Sequence, residues 1–184
     1  MRHSRFAAML LAGLLMASCS DAVSGDSMTA EEKVAFILFG VKDGISYTLR
    51  ENSEEISTKR ESASPLALDV LFSGKKLVFV QVEKQDDCRY NATIEFNNQR
   101  SGKLETFSAL YDLSGLKSAT LESDSVALET VEVTCPEDKC SSNNASHIAR
   151  GGLNSFILDD RAMRQTSLTA AVDDFRQNIC RGAQ

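Results

Sequence analysis

A regularly alternating stretch at residues 88–96 constrains the fold more than any other feature of this chain. Every second position there is apolar or a cysteine, and the positions between them are polar: Arg89, Asn91, Thr93 and Glu95. Successive side chains of a β-strand point to opposite faces, so the pattern predicts a strand with one buried and one solvated face. Such strands are typical of an antiparallel sheet that is covered on one side.

Other segments predict further strands of the same sheet. A polar segment, 50–64, leads to Pro65, and the residues after it alternate from Leu66 to Phe72. A turn at 73–76 precedes a strand at 77–82, and a hairpin loop at 97–103 precedes a strand at 104–113. Additional strands are expected at 116–121 and 126–134, and residues 153–158 are a candidate for one more short strand. The predicted sheet has about five to six strands.

Helical patterns lie at the two ends of the domain. Thr29-Ala30-Glu31-Glu32 has the form of a capping box, and Gly44 is the expected C-cap of the helix that follows. The apolar residues of this first helix recur at helical spacing: Val34, Ile37, Leu38 and Val41. A second helix has Ser167 near its start and a similar apolar face: Leu168, Ala171, Val172, Phe175 and Ile179.

The order of helix, strands and helix predicts an α+β fold. We expect the N-terminal and the C-terminal helix to pack on one antiparallel sheet. A single domain is expected at 29–184, because the chain is of ordinary single-domain length and no repeat or Pro-rich linker divides it.

The N-terminus has the three parts of an export signal. Arg2, His3 and Arg5 provide a basic start, an apolar run follows at 6–17, and small residues precede Cys19. A run of about 12 residues fits a signal-peptide core and is too short to cross a bilayer as a helix. Residues 1–18 are therefore expected to be removed.

The tetrapeptide Met16-Ala17-Ser18-Cys19 resembles the lipobox of bacterial lipoproteins, with Met16 where leucine is usual. The resemblance implies a diacylglyceryl group on the Cys19 thiol and cleavage directly before it. Residues 19–28 would then form a flexible tether to the membrane. With Ser20 after the cysteine, it also implies the periplasmic face of the outer membrane. The alternative is ordinary secretion of a soluble periplasmic protein, with cleavage after Ser20 or Ser24.

Four cysteines remain beyond Cys19, which is an even number and suits an oxidising compartment. Of the three ways to pair them, we expect Cys135–Cys140 and Cys88–Cys180. The first pair would close a short ring around a polar turn, and the second would tie the last helix to the strand that begins at Cys88. A zinc site is not expected, since the spacing differs from paired C-x-x-C motifs and His147 is the only histidine beyond the signal.

Charge argues against nucleic acid as a partner. Removal of Arg2 and Arg5 with the signal leaves 18 basic against 26 acidic residues, a net charge of −8. Nucleic-acid-binding proteins need basic clusters that displace counterions. The bilayer, reached through the acylated Cys19, and an envelope protein are the partners we expect.

Candidate catalytic groups are scarce. His147 lies in a polar stretch without the surroundings of a catalytic triad or dyad, so a solvated loop histidine is expected. Acidic residues crowd one segment without the spacing of a calcium-binding loop: Glu122, Asp124, Glu129, Glu132, Glu137 and Asp138. They predict either a solvent-facing strand surface or an acidic face that meets a basic partner.

These observations favour an exported, membrane-anchored protein that acts by binding and not as an enzyme, with no cofactor. We expect an envelope-assembly or binding module. The alternative is an inhibitor of a basic cell-wall hydrolase of the lysozyme type, which the acid-rich segment would suit electrostatically.

Overall fold

The computed structural model describes residues 28–48, 55–98, 102–121, 126–135 and 161–181. They form an antiparallel sheet of seven strands, a separate two-stranded sheet and two helices. The α+β class expected from the sequence is confirmed, and the main sheet is larger than the five to six strands predicted. None of the helices in these ranges is both long and apolar enough to cross a bilayer.

The strands of the main sheet lie in the order β1, β2, β3, β4, β5, β6, β9, while β7 and β8 pair with each other. Their bounds are β1 Ser46–Thr48, β2 Glu55–Ala63, β3 Leu66–Phe72, β4 Lys75–Lys84, β5 Arg89–Asn98, β6 Lys103–Asp112, β7 Ala119–Leu121, β8 Val126–Leu128 and β9 Glu132–Thr134. All neighbouring strands are antiparallel.

Helix α1, Ala30–Phe39, begins with the predicted capping box. The Thr29 amide donates to Glu32 Oε2 at 2.6 Å, and the Glu32 amide donates to Thr29 Oγ1 at 3.2 Å. The helix ends at Gly40 and not, as the sequence suggested, at Gly44. Gly40 has a φ of 67°, and its amide donates to the Phe36 carbonyl at 2.8 Å. Glycine adopts this left-handed conformation without a Cβ clash, so the first glycine after the apolar run ends the helix.

The alternation of residues 88–96 appears in the burial of β5. Tyr90, Ala92 and Ile94 are buried, whereas Asn91 is exposed. The buried face continues through β3 and β4 with Leu66, Leu68, Val70, Val78, Val80 and Val82. Helix α1 contacts β4 and β5, and its residues 34–39 are all buried. Burial of each large aliphatic side chain contributes roughly 1.5–3 kcal/mol, which makes this layer the main source of stability.

Strand β2 lies within the segment whose sequence is polar and for which no strand was expected. Only Ile56 and Thr58 are buried in it. Strand β1 pairs with the first three residues of β2. Along the rest of β2, no other described strand lies on the outer side. A strand at the edge of a sheet buries few side chains, and charged residues are common there. The sequence of β2 therefore shows no regular alternation of apolar residues.

Residues 126–134 form two strands where the sequence predicted one. Strand β8 pairs with β7 and β9 pairs with β6, so the chain changes sheets between them. Thr130 in the connecting turn has a φ of 66°. A Cβ placed on Gly115 would lie 2.6 Å from the Thr130 carbonyl oxygen, so the glycine lets the β6–β7 connection pass close to this turn.

Helix α2, Arg161–Asp174, starts several residues before Ser167 and contacts α1 and β7. Its buried residues are those expected from the sequence: Leu168, Ala171 and Val172. Gln165 bonds to the backbone of β7, because its Oε1 accepts from the Leu121 amide at 2.8 Å and its Nε2 donates to the Ala119 carbonyl at 3.0 Å. An ion pair of 2.5 Å joins Lys33 Nζ of α1 to Asp174 Oδ2 of α2.

Candidate functional site

A disulfide bond fastens the C-terminal helix to the main sheet. Cys88 lies directly before β5 and Cys180 directly after α2 and its π-helical extension, and their Cα atoms are 4.9 Å apart. This is the pairing expected from the sequence. Cys180 is only 4% exposed, and the Cys88 carbonyl accepts a hydrogen bond from the Leu113 amide at 2.9 Å. The disulfide therefore lies where β5 begins and β6 ends.

The π-helical turn Phe175–Ile179 turns Cys180 toward the sheet. The Cys180 amide donates to the Phe175 carbonyl, five positions earlier, at 2.9 Å. In an α-helix two residues five positions apart differ in direction by about 140°, and the wider π turn reduces this difference. Both residues are consequently buried on the same side, where the Phe175 ring lies 5.9 Å from the Tyr90 ring between centroids.

Two other cysteine predictions are not decided by the geometry. Cys135, at the end of β9, is also disulfide-bonded. Its expected partner Cys140 lies outside the described residues, so the Cys135–Cys140 bond stays a prediction. Cys19, the expected lipid-bearing residue, lies outside them as well.

The turn before Cys88 is organised by one carboxylate. Asp86 Oδ1 accepts from the backbone amides of Cys88 at 2.9 Å and Arg89 at 2.8 Å, and Asp86 Oδ2 lies 2.6 Å from Arg89 Nε. The Cys88 amide and then the Arg89 side chain stabilise the charged form, which lowers the pKa of the Asp86 carboxyl. Lys84 Nζ pairs with Asp87 Oδ1 at 2.7 Å on the other side of the turn. Hydrogen bonds and ion pairs of charged side chains thus stabilise the turn.

A row of charges crosses three strands beside this turn. Arg89 of β5 is opposite Asp112 of β6, which is opposite Glu132 of β9. Hydrogen bonds from the side chain and backbone of Ser114 lower the pKa of the Asp112 carboxyl, and Arg89 acts in the same direction. Like charges directly opposite each other destabilise a sheet, and the neighbouring guanidinium offsets part of that repulsion. We call Asp86, Asp112 and Glu132 the acidic end of the sheet.

The two described members of the acidic segment predicted from the sequence lie beside different sheets. Glu132 belongs to the acidic end, whereas Glu129 lies beside the small sheet, where its Oε2 accepts from Ser118 Oγ at 2.8 Å. Both glutamates are exposed. The other predicted members lie outside the described residues: Glu122, Asp124, Glu137 and Asp138.

Within the ranges that the structure describes, no three His, Cys, Asp or Glu side chains are grouped to hold a metal ion. His147 is among the residues outside them. The carboxylates of the acidic end can attract and orient a positively charged surface.

One charge cluster was missed by sequence reasoning. Arg60 of β2 forms an ion pair through Nη2 with Glu32 of α1, and its Nε lies 2.9 Å from Asp43 Oδ2 in the loop that follows α1. Arg60 pairs in register with Leu68, whose side chain is buried, so the guanidinium lies at the margin of the core. The capping box revealed Glu32, but nothing in the sequence indicated its partner.

A buried phenol was also missed. Tyr111 of β6 is fully buried, and its hydroxyl has no hydrogen-bond partner among the residues described. Its ring meets Phe39 edge-on, with centroids 6.5 Å apart. Burial raises the pKa of the Tyr111 phenol well above its usual range, so this group stays neutral and serves packing.

Comparison of the chain with protein-family models, with characterised proteins and with solved structures finds no match.

Proposed function

We propose that this protein is an exported lipoprotein, held at a membrane by acyl chains on Cys19, and that its α+β domain acts by binding an envelope protein and not by catalysis. The observation that supports export is the Cys88–Cys180 disulfide. Disulfides form and persist in oxidising compartments outside the cytoplasm. The bond therefore agrees with the destination that the N-terminal signal predicts.

The anchor and the tether determine where the domain works. Two or three acyl chains hold a protein at a bilayer stably, whereas one chain is marginal. A flexible tether of residues 19–28 has a root-mean-square length of roughly 17 Å, which keeps the domain close to the membrane. Ser20 supports the periplasmic face of the outer membrane, and a soluble periplasmic protein is the alternative.

The acidic end of the sheet is the surface that we propose for binding. Hydrogen bonds hold Asp86 and Asp112 in ionised form, and the exposed Glu132 adds a third carboxylate nearby. Charge complementarity of this kind raises the association rate and selects the partner's orientation. In this arrangement both helices cover one face of the sheet, which the α1–β4 contacts and the bond to Cys180 support.

Inhibition of a basic cell-wall hydrolase is the second candidate function. It is supported by Glu129 and Glu132, which are both exposed and would face a cationic enzyme. Purified protein should then inhibit lysozyme at micromolar concentration, and Glu129→Gln/Glu132→Gln should weaken the inhibition. The matched control is Glu83→Gln, an exposed glutamate on β4. No inhibition by the wild type would rule this function out.

Metabolic labelling with palmitate tests the anchor. The wild type and the control variant Ser20→Ala should incorporate label and fractionate with membranes, whereas Cys19→Ser should do neither. Label that persists in Cys19→Ser, or an unlabelled wild type, would contradict the lipoprotein proposal. Cross-linking at the envelope should then join the wild type to one stoichiometric protein, and substitution of Asp86 and Glu132 by their amides should reduce that product.

A further inference from the structure

The last turn of the C-terminal helix has two alternative registers. In the structure Phe175–Ile179 form a π-helical turn, and the Cys180 amide donates to the Phe175 carbonyl at 2.9 Å. Helix α2 is α-helical up to Asp174. Single π turns inside α-helices are rare and occur frequently at functional sites. The alternative is a continuation of the α-helix, in which each amide bonds to the carbonyl four positions earlier.

Each register buries a different residue. In an α-helix, position 179 points about 40° away from Phe175, and position 180 points about 140° away. The α register would therefore place Ile179 on the apolar face that begins with Leu168, as the sequence pattern predicted. In the π register of the structure, Cys180 is buried and Ile179 is only partly buried.

The α register would turn Cys180 toward solvent. Residues three and four positions apart lie side by side on a helix, so Cys180 would neighbour Gln177 and Arg176. Both of these side chains are exposed. Burial of Cys180 thus requires the π turn, and the bond to Cys88 holds it there. Without that bond the α register is favoured, because Ile179 has more apolar surface to bury than a cysteine thiol.

We propose that the Cys88–Cys180 bond is a redox switch of helix register. Reduction by a dithiol converts the turn 175–179 from π to α, which buries Ile179 and exposes the Cys180 thiol. This change requires neither export nor a partner. The turn adjoins the acidic end of the sheet, so the redox state also alters the border of the binding surface proposed above; that consequence alone rests on the proposed function.

The exchange begins at Cys88, which is partly exposed, whereas Cys180 is 4% exposed. A thiolate of the dithiol attacks Cys88 Sγ, and Cys180 leaves as a thiolate that takes up a proton. The second thiol of the reductant loses its proton and attacks the reductant sulfur, which releases Cys88 as a thiolate that is protonated in turn. The protein gains two electrons and two protons, and the dithiol becomes a disulfide. Lys84 and Arg89 pair with the two carboxylates before Cys88, which offsets their repulsion of the attacking thiolate.

Alkylation of the reduced protein tests the register. The full chain is reduced with dithiothreitol, desalted without oxygen and treated with iodoacetamide, and the rate at each cysteine is read by peptide mass spectrometry. Cys180 should react within about threefold of its rate in urea, whereas a retained π turn would keep it at least about tenfold slower. In NMR spectra, the contact between Phe175 Hα and the Cys180 amide proton should be lost on reduction.

Two variants separate the register change from general loosening. Ile179→Ala removes the side chain that favours the α register, so its reduced form should alkylate Cys180 at least about threefold more slowly than reduced wild type. The matched control Gln177→Ala, at an exposed position of the same turn, should react like the wild type.

Three results would each overturn the proposal. They are a Cys180 that stays protected after reduction, equal rates in Ile179→Ala and wild type, and alkylation that appears only together with loss of the far-UV circular dichroism signal. The wild-type measurements remain decisive even if a variant does not fold. Cross-linking at the envelope tests the proposed function separately, so the failure of one can be told from the failure of the other.

Discussion

Removal of the Cys88–Cys180 bond should cost more stability than any other small change at the candidate site. The double substitution Cys88→Ala/Cys180→Ala frees a loop of 92 positions in the unfolded chain. The loop-entropy relation gives about 15.6 cal/mol/K, or about 4.6 kcal/mol at 25 °C. For a domain of this size each kcal/mol lowers the melting temperature by about 2–4 °C, so we expect a fall of roughly 10–18 °C.

Guanidinium unfolding followed by circular dichroism measures the loss and its origin. If the cross-link acts by restricting the unfolded state, the variant should also have a larger m-value, because its unfolded chain exposes more surface. Wild type in a reducing buffer should fall to the stability of the variant in the same buffer. A loss below about 1 kcal/mol with an unchanged m-value would refute the loop-entropy reasoning.

Three further changes test individual contacts. Arg60→Ala leaves the Glu32 carboxylate, whose side chain is 11% exposed, without its cation, and should cost about 2–3 kcal/mol. A double-mutant cycle with Glu32→Gln should show coupling, and additive losses would contradict a direct interaction. Gly115→Ala places a Cβ 2.6 Å from the Thr130 carbonyl oxygen and should cost about 1–3 kcal/mol in urea unfolding, whereas unchanged stability would mean that this turn yields easily. Asp86 has a lowered pKa, so its contribution is present above the ordinary carboxyl pKa and disappears as the pH falls through the lowered folded value. Asp86→Asn should therefore make the free energy of unfolding less dependent on pH in the acidic range. An ordinary carboxyl pKa for Asp86, measured by NMR titration, would contradict the lowered pKa.

Local patterns allowed much of the fold to be predicted from the sequence. The alternation at 88–96 produced β5 with the expected buried face, and the capping box at Thr29 set the start of α1. The expected bond between Cys88 and Cys180 is present. These features depend on residues close together in the chain or, for the cysteines, on a chemistry that few residues share. Alternating polar faces and helix caps can be recognised in a sequence because strand and helix geometry depend on only a few neighbouring residues.

Boundaries and strand partners were harder to predict. The first helix ends at Gly40 although Gly44 was an equally good cap by sequence, and both glycines have positive φ in the structure. Strand β2 carries no apolar period because it lies mostly at the edge of the sheet. Residues 126–134 look continuous in sequence, yet the turn at Thr130 directs their two halves to different sheets.

The sequence by itself determined the α+β class, the polar and apolar faces of the central strand and the cysteines available for bonding. Only the tertiary structure decided that Arg60 meets Glu32, and that Glu129 lies beside the small sheet while Glu132 belongs to the main one. Strand order and register cause the difference. Pairing between distant segments is chosen by the packing of the whole sheet, and no short stretch of residues encodes it.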